Sequence, residues 1–160
     1  MDYLTYRCGD MINGEGLRVA IWLSRCSHGC KGCFNSCSWN GGGSPFDKKM
    51  VDKLFKDLSK DYISGVTWSG GDPLHKRNYQ EVLEISKDIK KRFDNKTIWL
   101  YTGYTYSELL ADEKRKDILK VIDVLIDGRY EKDLPPLQWR GSSNQKVLWL
   151  DGNGNITKEE

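Results

Sequence analysis

No stretch of this chain approaches the roughly 20 consecutive apolar residues that span a bilayer. Its first residues, Met1-Asp2-Tyr3-Leu4-Thr5, have neither the basic start nor the apolar core of a secretory signal. Neither sign of charge is in excess: 25 basic against 23 acidic residues leave a formal charge of +2. That balance argues against a dedicated nucleic-acid binder or a polybasic membrane binder. Histidine is scarce, with two in 160 residues, and there is no Ser/His/Asp or His-rich constellation. No internal repeat or low-complexity tract occurs. The expectation is a cytoplasmic protein with one domain over residues 1–160, whose 38% hydrophobic residues suffice for one core but not two.

What the chain does have is cysteine in one place. Cys26, Cys30 and Cys33 stand at C-x3-C-x2-C spacing, and Phe34 follows the third. Thiolates this close reach a single metal centre, and Gly29 and Gly32 let the backbone wrap around it. Three ligands leave one iron of a four-iron cluster open. Two other readings share the spacing. With Cys37 the run becomes C-x3-C-x2-C-x3-C, which suits a closed tetrahedral zinc site or an electron-carrying cluster. Five cysteines in a cytosolic chain read as metal-binding or redox-active and not as a disulfide framework. Cys8, far from the others, reads as a small buried residue. His28 lies inside the loop, but the cysteines suffice as ligands.

Residues 1–17 read as irregular, with a turn at Asn13-Gly14-Glu15-Gly16. Strands are expected over 18–24, 62–69, 97–102, 121–127 and 146–150, with a short return strand from Ile156. Between them, Asp47 caps a helix carrying Met50, Val51, Leu54, Phe55 and Leu58 on one face. Asn78 or a neighbour opens a second helix, and a third covers roughly 107–120. Strands alternating with helices imply α/β architecture with a mainly parallel sheet. The chain is too short for a closed eight-unit barrel, so an open partial (β/α) barrel is expected. The cysteine loop, 25–40, leaves the C-terminal end of a strand, where such folds place their active sites. A C-terminal loop and strand cover 134–157. Trp22, Trp68, Trp99 and Trp149 fall on strands and read as core; Trp39 and Trp139 fall in loops.

Other strand ends carry candidates for the same rim. Gly70-Gly71-Asp72-Pro73 lets backbone approach a ligand closely, offers carbonyls to an ammonium group and adds a negative charge beside it. Asp127 could take ribose hydroxyls, and Arg129 could pair with a carboxylate. Thr102-Gly103-Tyr104 ends another strand.

The cysteine spacing and the following aromatic resemble the radical S-adenosylmethionine (SAM) superfamily. Asn13-Gly14, Cys26 to Asn35, Trp39-Asn40, Ser69 to Leu74, Trp99 to Tyr104, Val124 to Gly128 and Trp139-Arg140-Gly141-Ser142-Ser143-Asn144-Gln145 occur in the order seen in one of its groups. That group is the glycyl-radical activating enzymes that serve anaerobic ribonucleoside-triphosphate reductase. The resemblance implies a radical-SAM-type barrel and an oxidoreductase with a 4Fe-4S cluster on Cys26, Cys30 and Cys33. It places SAM among Gly32, Cys33, Phe34, Gly70, Gly71, Asp72, Thr102, Asp127 and Arg129. It implies reductive cleavage of SAM and a glycyl radical on the reductase's large catalytic subunit. A one-electron donor such as flavodoxin is implied as a second partner. The loops around 13–16 and 140–144 are then the natural surface to receive the reductase. Asp72 replaces the usual Glu, Glu15 replaces a usual Pro, and Cys37 is an added cysteine. Short deazaguanine synthases, which share an early Gly-Glu-Gly loop, and a non-enzymatic electron carrier are the alternatives.

Overall fold

The computed structural model describes residues 1–160. Its strands are β1 (Asp2–Asp10), β2 (Leu17–Leu23), β3 (Ser44–Pro45), β4 (Ile63–Gly70), β5 (Thr97–Tyr101), β6 (Val124–Asp127), β7 (Lys146–Leu150) and β8 (Ile156–Glu159). Its helices are α1 (Lys48–Leu58), α2 (Tyr79–Arg92) and α3 (Tyr106–Leu110). All eight strands join one sheet in the order β3-β1-β2-β4-β5-β6-β7-β8. No helix is long and apolar enough to cross a membrane.

The expected architecture, an open partial (β/α) barrel with a mainly parallel sheet, is not what forms. The sheet is mixed. β2–β4, β4–β5 and β5–β6 pair in parallel. β1–β2, β1–β3, β6–β7 and β7–β8 pair antiparallel. The reason lies in the connections. Each parallel pairing needs a crossover, usually a helix, and the chain supplies only three short ones. Both flanks return without a helix and so run antiparallel.

Residues 1–17 are also more ordered than expected, because most of them form β1. That strand lies near the edge and is largely exposed, so it lacks a hydrophobic signature. Its register slips between Cys8 and Asp10, beside Gly9 at φ +90°, as a bulge does. Cys8 is exposed there and not buried.

The central strands bury both faces. The larger core packs Val19, Ile21, Leu23, Val66, Trp68, Ile98, Leu100 and Leu125 against Leu54 and Leu58 of α1 and Val82, Ile85 and Ile89 of α2. Full burial of such side chains is worth roughly 1.5–3 kcal/mol each. The opposite face carries Trp99, Val124, Ile126 and Val147, with Tyr101, Trp139 and Trp149 against them. Trp68 and Trp99 are core as expected, whereas Trp22 and Trp149 are half-buried.

Asp47 caps α1 as its position suggests, accepting from Met50 N at 3.1 Å. Asn78 precedes α2 but does not cap it. Its buried Nδ2 donates to Ser24 O and Asp72 O, both at 2.9 Å, and so brackets two strand ends. The helix expected over 107–120 breaks into α3 and a short 3-10 turn at Lys116–Lys120. At the break, Asp112 accepts from Lys114 N (2.9 Å) and Arg115 N (3.2 Å), the local bonding by which Asp competes with helix.

Candidate functional site

A cavity of about 360 Å³ opens at the C-terminal ends of the parallel strands. Cys26, Cys30 and Cys33 all line it, none of them in a disulfide. Ser69, Gly70 and Gly71 come from the end of β4, Tyr101, Thr102 and Gly103 from β5, and Gly128 follows β6. This is where ligands sit in parallel-centred sheets.

The loop that carries the cysteines is held at its feet by backbone. Arg25, at φ +82°, donates to Ser38 O, and Cys26 N donates to Trp39 O at 3.2 Å. Asp72 N reaches Arg25 O, and Gly71 N reaches Leu23 O, both at 2.7 Å. A Cβ at Gly71 would lie 2.4 Å from Arg25 O, and one at Gly70 would lie 2.2 Å from Leu23 N. The glycine pair therefore serves the approach of β4 to the cysteine loop as well as facing the cavity.

Asp72 is buried and turned inward. Its carboxylate accepts from Leu74 N (2.8 Å), Gly103 N (3.0 Å) and Thr102 Oγ1 (2.9 and 3.0 Å). Oδ2 also meets His28 Nε2 at 2.6 Å. The His28 ring packs edge-on against Tyr104, with centroids 4.6 Å apart. One carboxylate thus joins the cysteine loop to the ends of β4 and β5.

Ligand atoms of Cys26, His28 and Asp72 lie within 4.8 Å of one another, yet His28 Nε2 is committed to Asp72. Burial pushes the Cys26 thiol up to about 11. A bare thiolate is thus disfavoured there, and a bound cation would offset that penalty. Three free thiols on the wall of one cavity suit a 4Fe-4S cluster. Cys37 is exposed and lies off the wall, so it adds no fourth sulfur to the cavity.

Of the residues expected at the site, Cys26, Cys30, Cys33, Phe34, Gly70, Gly71 and Thr102 line the cavity. Gly32, Asp72, Asp127 and Arg129 do not. A Cβ at Gly32 would meet Lys132 at 3.0 Å. Asp127 is buried, accepts from Tyr106 N at 2.7 Å, and burial raises its pKa. Arg129 points outward, with Nη1 2.7 Å from both carboxylate oxygens of Glu108.

A profile described as "4Fe-4S single cluster domain" matches residues 12–148. The anaerobic ribonucleoside-triphosphate reductase-activating protein of Pasteurella multocida (strain Pm70) is 46% identical over 152 residues, covering 92% of this chain and 96% of that protein. The protein of the same name from Enterobacteria phage T4 is 44% identical over 151 residues, with 93% of each chain covered. The chain belongs to the anaerobic ribonucleoside-triphosphate reductase-activating protein family. A third activating protein, from Escherichia coli (strain K12), is 41% identical over 155 residues, covering 94% of this chain and 99% of its own.

Several parts of this activating-protein cavity had no sequence signal. Trp22, Tyr101 and Tyr130 line it although nothing local distinguishes them from core or surface aromatics. Phe34 is 73% exposed and meets Tyr130 edge-on at 5.4 Å. Trp139 does flank the site, packing on Trp99 at 4.9 Å. Gln145 closes the loop before β7. Its Oε1 accepts from Gly141 N (2.9 Å) and Ser142 N (3.1 Å), and its Nε2 donates to Gly128 O (3.0 Å).

Proposed function

We propose that the chain is the radical SAM activase of an anaerobic ribonucleoside-triphosphate reductase. The observation that carries the reading is the convergence of three unpaired cysteines, and not the fourth, on one cavity at the ends of the central strands. Membership of the family supports it.

Cys26, Cys30 and Cys33 would hold the cluster. When bound, a 4Fe-4S cluster with an open iron supplies one electron to SAM, which yields methionine and a 5′-deoxyadenosyl radical that takes a hydrogen atom from a glycine Cα of the large catalytic subunit. The chain's own tasks are positioning and exclusion of water. Gly70 and Gly71 present backbone to the ligand's amino group, and Thr102 lines the wall beside them. Asp72 orients that wall through His28, Thr102 and Gly103. The aromatic side chains of Trp22, Tyr101, Tyr130 and Trp139 make much of the wall apolar. The electron would come from a small donor such as flavodoxin in the reducing cytoplasm.

Anaerobic reconstitution followed by iron and sulfide analysis tests the ligand set. Cys26→Ala, Cys30→Ala and Cys33→Ala should each lose the cluster and SAM cleavage under dithionite, whereas Cys37→Ala should keep both. Incubation of the loaded protein with SAM, reductant and the reductase should produce a glycyl radical signal in electron paramagnetic resonance. Cleaved SAM with no such signal would remove the activase reading.

A further inference from the structure

With Arg129 engaged by Glu108 at the surface, the cavity wall needs another group if it is to take an anion. No aspartate or glutamate lines the wall, and Arg140 is its only lysine or arginine. The Arg140 side chain makes one hydrogen bond within the chain, Nε to Gln138 O at 3.2 Å. Both Nη groups, the fork that grips carboxylates in pairs, are left without a partner in the chain.

Arg140 also sits on a built element. Leu137 N donates to Arg140 O at 3.3 Å and Arg140 N to Leu137 O at 3.0 Å, which closes a tight turn. Within it Trp139 has φ +63°, a left-handed conformation that a bulky residue rarely adopts. Such strain persists only where its surroundings over-determine it, and it gathers at ligand sites. Here the surroundings are visible. The Trp139 ring is wedged against Trp99 and Trp149, and Gln145 ties the following residues to Gly128. The strained turn brings both Trp139 and Arg140 to the cavity wall.

We propose that Arg140 binds the carboxylate of the amino-acid end of SAM, the role expected of Arg129 from its strand end and from the resemblance. The assignment rests on the function proposed above and names the residue that recognises one end of its ligand. It moves Arg140 from the partner surface into the cavity.

The test is equilibrium dialysis with the anaerobically loaded protein, using SAM and decarboxylated SAM as probes. Iron content and circular dichroism confirm that each variant is loaded and folded. Arg140→Ala should weaken SAM binding about 10- to 100-fold, the effect of losing a charge-assisted hydrogen bond. It should leave the affinity for decarboxylated SAM at the wild-type value. Arg140→Lys should recover part of the loss. An equal loss for both probes, or no loss for SAM, overturns the assignment. Unchanged SAM affinity with weakened binding of the reductase overturns it as well and returns Arg140 to the partner surface. If the wild-type protein binds no SAM at all, the proposed function itself falls; if it binds SAM and Arg140→Ala binds equally well, only the assignment of Arg140 falls.

Discussion

Replacing Asp72 with Asn removes one oxygen from a carboxylate that holds three segments together, and the effect can be worked out atom by atom. Asn keeps an oxygen where Oδ1 accepts from Leu74 N and Thr102 Oγ1. Its amide nitrogen then faces Gly103 N–H, a donor against a donor, where Oδ2 accepted at 3.0 Å, and it keeps His28 only by donating to Nε2 in the tautomer that accepts there. Leaving that amide unpaired is worth about 1–3 kcal/mol of destabilisation, and the two surviving bonds lose their charge assistance, about 1 kcal/mol each. Relief from burying a charge offsets part of this. The net expectation is a loss of about 2–3 kcal/mol, serious but below the roughly 5–15 kcal/mol of an ordinary domain. Urea denaturation of the iron-free protein under anaerobic, reducing conditions reads it. With a slope of about 1–3 kcal/mol per molar, the midpoint should fall by about 1–2 M. Thr102→Val, which removes only one donor, should shift it by less than half as much. A midpoint for Asp72→Asn within about 0.3 M of wild type would refute the view that this carboxylate is a structural junction.

Gly71→Val should lower iron incorporation as well as ligand binding, because the new side chain meets the backbone of Arg25 at the foot of the cysteine loop; full iron content after reconstitution would contradict this. Gly103→Ala should disturb the cysteine loop from the other side, since its Cβ would lie 2.4 Å from His28 Cδ2, and faster amide exchange at Cys26 to Cys30 in the iron-free protein is the signature to look for. Asp57 gives a pH dependence. Burial alone would raise its pKa, but hydrogen bonds from Tyr6 and Lys60 and the charge of Lys53 outweigh it and hold the group below its usual value. Its stabilising contribution is thus complete above about pH 4 and disappears as pH falls through the depressed value. The stability gap between wild type and Asp57→Asn, followed by denaturation from neutral pH downward, should narrow in acid; a gap that stays constant would disprove the coupling.

The parts of the fold that could be read in advance are those whose residues are buried on both sides. β2, β4, β5 and β6 announce themselves as short apolar runs because parallel central strands see no solvent. β1 does not, because most of it is exposed and it carries charges, a glycine bulge and an isolated cysteine. Sheet direction is not legible from alternation across the whole chain, because only the central four strands alternate with helices and pair in parallel. At the site, the gathering of Cys26, Cys30 and Cys33 at one cavity is legible because it is local in sequence. Asp72 and Arg129 follow strand ends as expected, but their side chains engage His28 and Glu108 and do not line the cavity. Which way a side chain turns there depends on His28 and Glu108, residues 44 and 21 positions away. Arg140 reaches the wall through the tight turn at Trp139 and the tie of Gln145 to Gly128, contacts no periodicity encodes.

None of the five cysteines belongs to the two hydrophobic clusters that form the core. The loop bearing four of them is anchored by protein hydrogen bonds at its two feet and by His28 in its middle. Folding and metal loading are therefore separable events, unlike in small domains whose metal is their core. The chain can leave the ribosome, fold around its sheet and wait for iron. A chain without its metal would keep the hydrogen bonds that shape the loop, and with them a site ready to be loaded.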